Sequence, residues 1–241
     1  MTDANAAEFD PSADDVFNRI AARYDVLSDL FSLGIHRLWK RRMATLIAAE
    51  PWQVMLDTAT GTGDVVLAVI RRSEQLSGRR IIASDLSERM LAKARRRAAD
   101  LPAVMEFRLL DAHAMPTIAD ASVDLYSMSL GLKICDRKRA LAEAWRVLRP
   151  GGRLITLEAS HIVYPWLQEA YLAYMRLCMP LIGWLATNGD ASAYRYLLKG
   201  VSEFPDAETL AGEVDELGFR DVAFERMTLG IVAIHTARRP R

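Results

Sequence analysis

Asp57 and Asp85 each close an apolar run, Val54-Met55-Leu56 and Ile81-Ile82-Ala83-Ser84, and the first is followed by the spacing Asp57-x-Ala59-x-Gly61-x-Gly63. An apolar strand that ends in a carboxylate and runs into small residues and glycines lets backbone N–H groups approach a nucleotide-like ligand with no Cβ in the way. A second acid at the end of the next strand sits where an α/β nucleotide fold holds a ribose. A dinucleotide would want a third glycine opening a helix toward its pyrophosphate, and none stands at the required place. The acid at the strand end favours S-adenosylmethionine (SAM), whose sulfonium and ammonium groups gain from a nearby carboxylate. On that reading Asp57, Ala59, Gly61, Thr62 and Gly63 form the cofactor strap, and Asp85 with Leu86 meets the ribose. Asp111-Ala112 meets the adenine edge and Ser129 lies beside the methionine portion.

The elements that must position these residues are legible as an alternation. Val65 to Glu74 reads as a helix, Arg79 to Ser84 as a strand and Ser87 to Ala99 as a helix capped by Ser87. Strand patterns follow at Val104 to Leu109 and Val123 to Met128, the latter with Asp124 near its start. A helix over Arg137 to Leu148 is expected to stop at Pro150-Gly151-Gly152 and feed the strand Leu154 to Glu158. Repeated βα units imply a mostly parallel sheet with helices on both faces. Before the first strand, Val16, Phe17, Ile20 and Tyr24 recur at helical spacing, as do Leu38, Trp39, Met43, Leu46 and Ile47. Asp206 to Leu217 reads as a helix closed by Gly218. Phe219 to Met227 and Leu229 to Thr236 read as two strands joined by a tight turn, an antiparallel pair at the sheet edge.

The 241 residues, 51% hydrophobic, suit one large α/β domain. The expected organisation is a disordered tail over 1–13 and a single domain over 14–241. Within it 14–50 form N-terminal helices and 161–200 a helical lid. Lys+Arg and Asp+Glu both number 31, so the basic footprint of a nucleic-acid binder is absent. Cys135 and Cys178 cannot build a metal cluster and suit a reducing cytosol as packing residues, so no metal is expected. The acidic start of the chain argues against a secretory signal, which makes the expected location cytoplasmic. Tyr164 to Ala186 is apolar but broken by Pro165, Gln168, Glu169, Arg176 and Pro180, too interrupted to cross a membrane. It is a groove or interface candidate, with the inner face of a membrane and a second copy of the chain both open as partners. Arg37, Lys40, Arg41 and Arg42 read first as the solvated face of a helix, and otherwise as a contact for anionic lipid or a polar substrate head.

The chain resembles the UbiE-type ubiquinone/menaquinone biosynthesis C-methyltransferases, within the class I SAM-dependent methyltransferases, from about Val16 to Thr236. The carrying residues are Val16-Phe17-Asn18-Arg19-Ile20-Ala21-Ala22-Arg23-Tyr24-Asp25, Gly34-Ile35-His36-Arg37-Leu38-Trp39-Lys40, Leu56-Asp57 through Gly61-Thr62-Gly63-Asp64, Leu148-Arg149-Pro150-Gly151-Gly152, Ser192-Ala193-Tyr194-Arg195-Tyr196-Leu197 and Gly230-Ile231-Val232-Ala233. The resemblance implies a Rossmann-like seven-stranded, mostly parallel sheet with its last strand antiparallel and a helical lid. It also implies SAM as methyl donor and a ring carbon of a polyprenylated hydroquinone as acceptor. The chain departs from the family's Phe-Gly-Leu/Ile-Arg-Asn with Leu130-Gly131-Leu132-Lys133-Ile134, and from its Glu-Phe-Ser with Glu158-Ala159-Ser160. Arginine is a rigid planar fork and lysine a point charge, so the exchange at Lys133 bears on how a ring oxygen is oriented. Another phenolic or polyketide-like acceptor stays open, as does a SAM-binding subunit without catalysis in a quinone-making complex.

Carbon methylation of such a ring needs positioning, charge stabilisation and a base. Lys133 is the expected electrostatic partner of the ring oxygen, against the ordinary reading of a solvated lysine. Tyr194 and Arg195 are expected to present donors to the ring oxygens, with Tyr194 and Tyr196 otherwise packed aromatics of a helix face. His161 is balanced between lid packing and the substrate pocket. His113 reads as structural or adenine-side, and His36 and His235 as chemically silent. The aromatic and methionine stripe from Trp166 to Trp184 reads equally as core or as a groove for a prenyl tail.

Overall fold

The computed structural model describes residues 18, 21, 24–73, 76–101, 105–186 and 192–241, with the backbone alone for 179–186 and 192–197. The expected tail over 1–13, and Val16, Phe17 and Ile20 of the first expected helix, lie outside the described residues. Helices α1 (Tyr24–Ser32) and α2 (His36–Ala48) precede strand β1 (Val54–Thr58). The alternation then runs α3 (Asp64–Ile70), β2 (Arg80–Asp85), α4 (Glu88–Arg97), β3 (Met105–Leu109), β4 (Val123–Ser129), α5 (Arg137–Val147) and β5 (Leu148–Ala159). Helices α6 (Pro165–Ala186), α7 (Ser192–Glu203) and α8 (Ala207–Glu216) follow, and then the strands β6 (Arg220–Met227) and β7 (Val232–Arg238).

The seven strands form one sheet in the order β3-β2-β1-β4-β5-β7-β6. Neighbours from β3 through β5 pair in parallel, while β7 runs antiparallel to both β5 and β6. The expected edge pair is therefore present, with β7 as the inner member. β1, β2 and β4 are buried along nearly their whole length because helices cover both of their faces. Alternate residues feed two cores: Leu56, Ile82, Tyr126 and Leu154 on one side, and Met55, Ile81, Leu125 and Ile155 on the other. The first core takes Leu141 and Ala144 of α5 and Leu210 and Val214 of α8. The second takes Met43 and Ile47 of α2 and Val66 and Ile70 of α3.

Side-chain caps fix where the helices begin. Ser87 accepts the Met90 N–H at 3.2 Å, Asp136 that of Arg139 at 3.2 Å and Asp206 that of Thr209 at 2.8 Å, each satisfying a donor the first turn leaves unpaired. Asp124 Oδ2 takes the backbone N–H groups of Gln53 and Val54 at 2.7 and 2.8 Å, which makes it the anchor of β1's entry. The Pro150-Gly151-Gly152 run is not the helix terminator expected of it. α5 ends at Val147, Leu148 is already extended (φ −67°, ψ 134°), and the three residues lie inside the twelve-residue β5. A Cβ on Gly152 would sit 2.8 Å from the Arg149 carbonyl oxygen, so the glycines let this strand bend where it changes partners. Among the described residues no helix is long and apolar enough to cross a membrane.

Candidate functional site

The strand order reverses between β1 and β4, and ligands of open α/β sheets bind in the crevice outside the carboxyl ends of the strands at that point. Asp57 near the end of β1, Asp85 at the end of β2 and Ser129 at the end of β4 converge there, with Asp111 and Ala112 just beyond β3. The strap is held in left-handed backbone at Ala59 (φ 49°), Gly61 (φ 56°) and Gly63 (φ 86°). Thr60 donates to the Ser84 carbonyl at 2.9 Å and Gly61 donates to Asp85 Oδ2 at 2.8 Å, tying the strap to β2. Asp85 Oδ1 also receives the Ser87 N–H at 2.9 Å. Each carboxylate oxygen has two acceptor positions, so Asp85 can brace the turn and still accept from a ribose.

The Asp57 carboxyl is 1% exposed and accepts a hydrogen bond from Ser127 Oγ. Burial pushes its pKa up to about 6, against that Ser127 bond, and no cation lies within ion-pair distance of it among the described residues. A Cβ on Gly61 would meet no atom within 4 Å, and Ser129 Oγ is buried without a partner among the described residues. A buried carboxylate lacking a cation, an open face over a glycine and an orphaned hydroxyl fit a ligand that carries an ammonium group and an adenosyl moiety.

The side chains of three expected strap or adenine residues have contacts of their own. Thr62 Oγ1 donates to Asp25 Oδ1 at 2.7 Å and accepts from Arg97 at 2.8 Å, so its side chain links α1 to α4 and faces away from the crevice. Ala112 belongs to the apolar core. Asp111 Oδ1 binds His113 Nδ1 at 2.6 Å, while His113 Nε2 accepts the Asp136 N–H at 2.9 Å. That pairing fixes the hydrogen on Nδ1 and engages both ring nitrogens, which gives His113 the structural role. Leu86 stands partly exposed beside Asp85.

Next to the crevice lies a largely apolar cavity of about 300 Å³, walled by α1, α2, the β4 and β5 ends and α6. Tyr24, Phe31, His36, Trp39, Lys133 and Tyr171 contribute to it. Trp39 Nε1 donates to Thr228 Oγ1 at 2.7 Å and so fastens α2 to the turn before β7. Lys133 donates from Nζ to the Leu130 carbonyl, and burial lowers its pKa against the raising influence of Glu158. Glu158 is 0% exposed, its pKa is raised by burial, and its Oε1 accepts the Leu132 N–H at 2.7 Å. Below the strap, Asp64 pairs with Lys40 and Arg97 at 2.7 Å each. Burial alone would raise its pKa, yet the two cations hold it well below the usual carboxylate range.

Of the expected catalytic residues, Lys133 is brought into the cavity wall. His161 does not line the cavity; its carbonyl packs on Gly230, where a Cβ would come within 2.5 Å of it. Tyr194 and Arg195 fall on α7, and their side chains lie outside the described residues. The stripe on α6 divides, with Tyr171, Tyr174 and Met175 lining the cavity and Trp166 exposed. Met179 and Trp184 side chains lie outside the described residues. Tyr24, Phe31, His36 and Trp39 are among the wall residues that sequence reasoning did not place. The contact of His36 with Ser32 crosses a turn whose Leu33 and Gly34 are left-handed, so no helical spacing announces it.

The chain matches the ubiE/COQ5 methyltransferase family over residues 1–239. It is 40% identical over 224 residues to the ubiquinone/menaquinone biosynthesis C-methyltransferase UbiE of Dinoroseobacter shibae, covering 92% of this chain and 88% of that one. The protein of the same name from Paracoccus denitrificans is 41% identical over 227 residues, with the same two shares. Among solved structures, a SAM-dependent methyltransferase from Thermotoga maritima superposes with a TM-score of 0.65 at 18% identity, covering 94% of this chain and 99% of that one. The phosphoethanolamine N-methyltransferase 2 of Haemonchus contortus, solved with SAM, superposes at 0.56 and 17%, covering 78% and 49%. These two likenesses show the fold.

Proposed function

The chain belongs to the ubiE/COQ5 methyltransferase family, and from that premise we propose that it methylates a ring carbon of a quinol with SAM as donor. The supporting observation is the juxtaposition of the glycine strap with an apolar, aromatic-lined cavity, which suits a hydroquinone ring ahead of an apolar tail. Asp57 pairs with the donor's ammonium group, Asp85 accepts from its ribose, and Gly61 gives it backbone without a Cβ. Thr62 and Gly63 hold the shape of the strap, and Ser129 turns its hydroxyl to the methionine portion. When bound, SAM supplies an electrophilic methyl group.

The protein's own part is positioning and charge. The cavity walls exclude water, and Tyr24 and Tyr171 flank the ring. Lys133 stabilises negative charge on the ring oxygen, and Glu158 beside it favours the ammonium form that burial opposes. Tyr194 and Arg195 remain proposed donors from α7. Because Lys133-Ile134 stands where relatives carry Arg-Asn, a second acceptor class, another phenolic ring, belongs in the same assay.

We extend the reading to peripheral contact with a bilayer. Val26, Leu30 and Leu33 share one face of α1 and its turn, and Trp166, Tyr174 and Leu177 share one face of α6; all six are exposed. Leu33 and Tyr174 also line the cavity, so the apolar surface continues into it. A recess beside it sets Arg37, Lys40, Arg41, Arg71 and Arg97 against Asp25 and Asp64, an excess of cations suited to anionic headgroups. A second copy of the chain is the alternative cover for this face.

The deciding experiment incubates the protein with SAM and a panel of quinols and other phenols. A mass gain of one methyl group on a quinol, with S-adenosylhomocysteine formed, is the expected result. Methylation of other phenols alone transfers the assignment to them. SAM binding with no methylated product on any acceptor favours a non-catalytic subunit.

A further inference from the structure

His36, a residue with no chemistry expected of it from the sequence, forms part of the cavity wall. Ser32 Oγ lies 2.7 Å from the Ser28 carbonyl oxygen and 2.7 Å from His36 Nδ1. A carbonyl oxygen can only accept, so the single hydroxyl hydrogen of Ser32 goes to Ser28. Ser32 Oγ must then receive its hydrogen bond from Nδ1–H, as it does from the His36 backbone N–H at 3.4 Å. A neutral imidazole with its hydrogen on Nδ1 carries a bare lone pair on Nε2. Nε2 has no hydrogen-bond partner among the described residues.

The other three histidines do not offer this. His113 has both nitrogens engaged and His161 lies outside the wall. His235 is buried between α8 and the sheet, with Nε2 2.9 Å from the Ala207 carbonyl. Lys133 is turned to the Leu130 carbonyl, and Glu158, whose Oε1 takes the Leu132 N–H, does not line the cavity.

We propose that His36 Nε2 is the general base that takes the hydroxyl proton of the aromatic acceptor. The assignment rests on the reading of an aromatic ring bearing a hydroxyl in the cavity. The acceptor's O–H bond breaks and an N–H bond forms at Nε2, leaving the electron pair on oxygen, from where it is delocalised to the ring carbon. That carbon's new bond is to the methyl group, and the donor sulfur keeps the pair of the broken S–C bond. Loss of the ring C–H proton to the oxygen then restores the aromatic hydroxyl. The proton on His36 leaves to water, so one proton is released for each methyl group moved.

The charges around His36 are consistent with a neutral base. Burial lowers its pKa first and Lys40 next, Asp29 (3.8 Å from Nδ1) and Asp64 oppose, and Arg37 lowers it further. Across the cavity stand Lys133 on the turn after β4, Tyr24 on α1, and Tyr171 and Tyr174 on α6. Turnover is therefore full at neutral pH and falls as pH drops through a value below the ordinary histidine range.

The test uses the full chain with SAM and the best quinol, comparing wild type with His36→Gln and His36→Asn. The expected result is a fall in kcat of about 100-fold or more, with loss of the acidic limb in the pH profile of kcat/KM. SAM affinity by calorimetry is expected to stay unchanged, which also reports that the variants are folded. Should both variants misfold, Ser32→Ala takes their place: it frees the tautomer and is expected to lower kcat and shift the acidic limb. Nitrogen-15 NMR of the imidazoles, which needs no acceptor, is expected to find hydrogen on Nδ1 and none on Nε2 at neutral pH. Hydrogen on Nε2, or an active wild type beside an equally active His36→Gln, overturns the role of His36 alone. A rise in KM with kcat unchanged overturns it too and makes His36 a binding residue. Absence of product from wild type on every hydroxyl-bearing ring removes the acceptor reading and this role with it.

Discussion

A Cβ on Gly131 would lie 2.5 Å from the Ala59 Cβ, so the strap after β1 and the loop after β4 meet where only a hydrogen fits. Gly131→Ala must push apart the two segments that frame the crevice. The expected cost is about 1–3 kcal/mol of stability, as for other overpacked contacts, with a parallel loss of SAM affinity. Thermal unfolding and calorimetry check both, and a variant as stable and as tight as wild type would show the contact to be yielding.

Asp57 carries a sign that can be worked out. Its folded pKa of about 6 lies above the ordinary 3.8, so its contribution to stability is fully present below the ordinary value and is lost as pH rises through 6. Without ligand, the buried carboxylate costs roughly 3 kcal/mol above pH 6, since each tenfold change in proton affinity is worth about 1.4 kcal/mol. Asp57→Asn should therefore raise the unfolding temperature of the cofactor-free protein at pH 8 while weakening SAM binding. In the wild type, SAM affinity should fall by up to about tenfold for each pH step of one below 6, because the pairing partner becomes neutral. An affinity flat between pH 5 and 8 would exclude Asp57 as the ammonium's partner.

Lys133→Met keeps the length of the side chain and removes its charge. Turnover should drop by about 100-fold or more, the usual scale for one lost electrostatic stabiliser, with SAM affinity nearly intact. Equal losses in both would make Lys133 part of the architecture, since its amine also holds the Leu130 carbonyl.

For the apolar face, Val26→Glu with Leu177→Glu replaces two exposed residues that do not line the cavity. Flotation with phosphatidylglycerol-containing vesicles should capture the wild type, and binding should fall by at least about tenfold in the double variant. Methylation of a short-tailed, water-soluble quinol should be unaffected. A wild type that stays off vesicles, and elutes as a dimer that the variant converts to a monomer, would give the face to a second copy.

The strand end at Asp57 and the turn that runs to Gly63 were legible because their geometry is local: an acid closing an apolar strand and glycines at left-handed backbone. The Ser87 cap was legible for the same reason. The side-chain partners of Thr62 were not legible, because Asp25 and Arg97 belong to helices that sequence order does not bring near it. Pro150-Gly151-Gly152 misled because glycine punctuates strands as well as helices, and only the β7 partner decides between them. The acceptor cavity was the least legible part. Trp39 meets Thr228, and Tyr171 faces the wall that α2 builds, so no window of the sequence contains that wall. His36 gave little sign of a role because the bonds that fix its hydrogen come from a separate helix.

The placement of β7 between β5 and β6 has a bearing on how the chain is made. β6 pairs with β7 alone, and β7 is the last of the seven strands to be synthesised. Until it emerges, β6 hangs without a neighbour and the flank of β5 stands open, an unpaired edge of the kind that invites association with other nascent chains. A stop codon just before Val232 would therefore remove two strands from the sheet while deleting only one from the message.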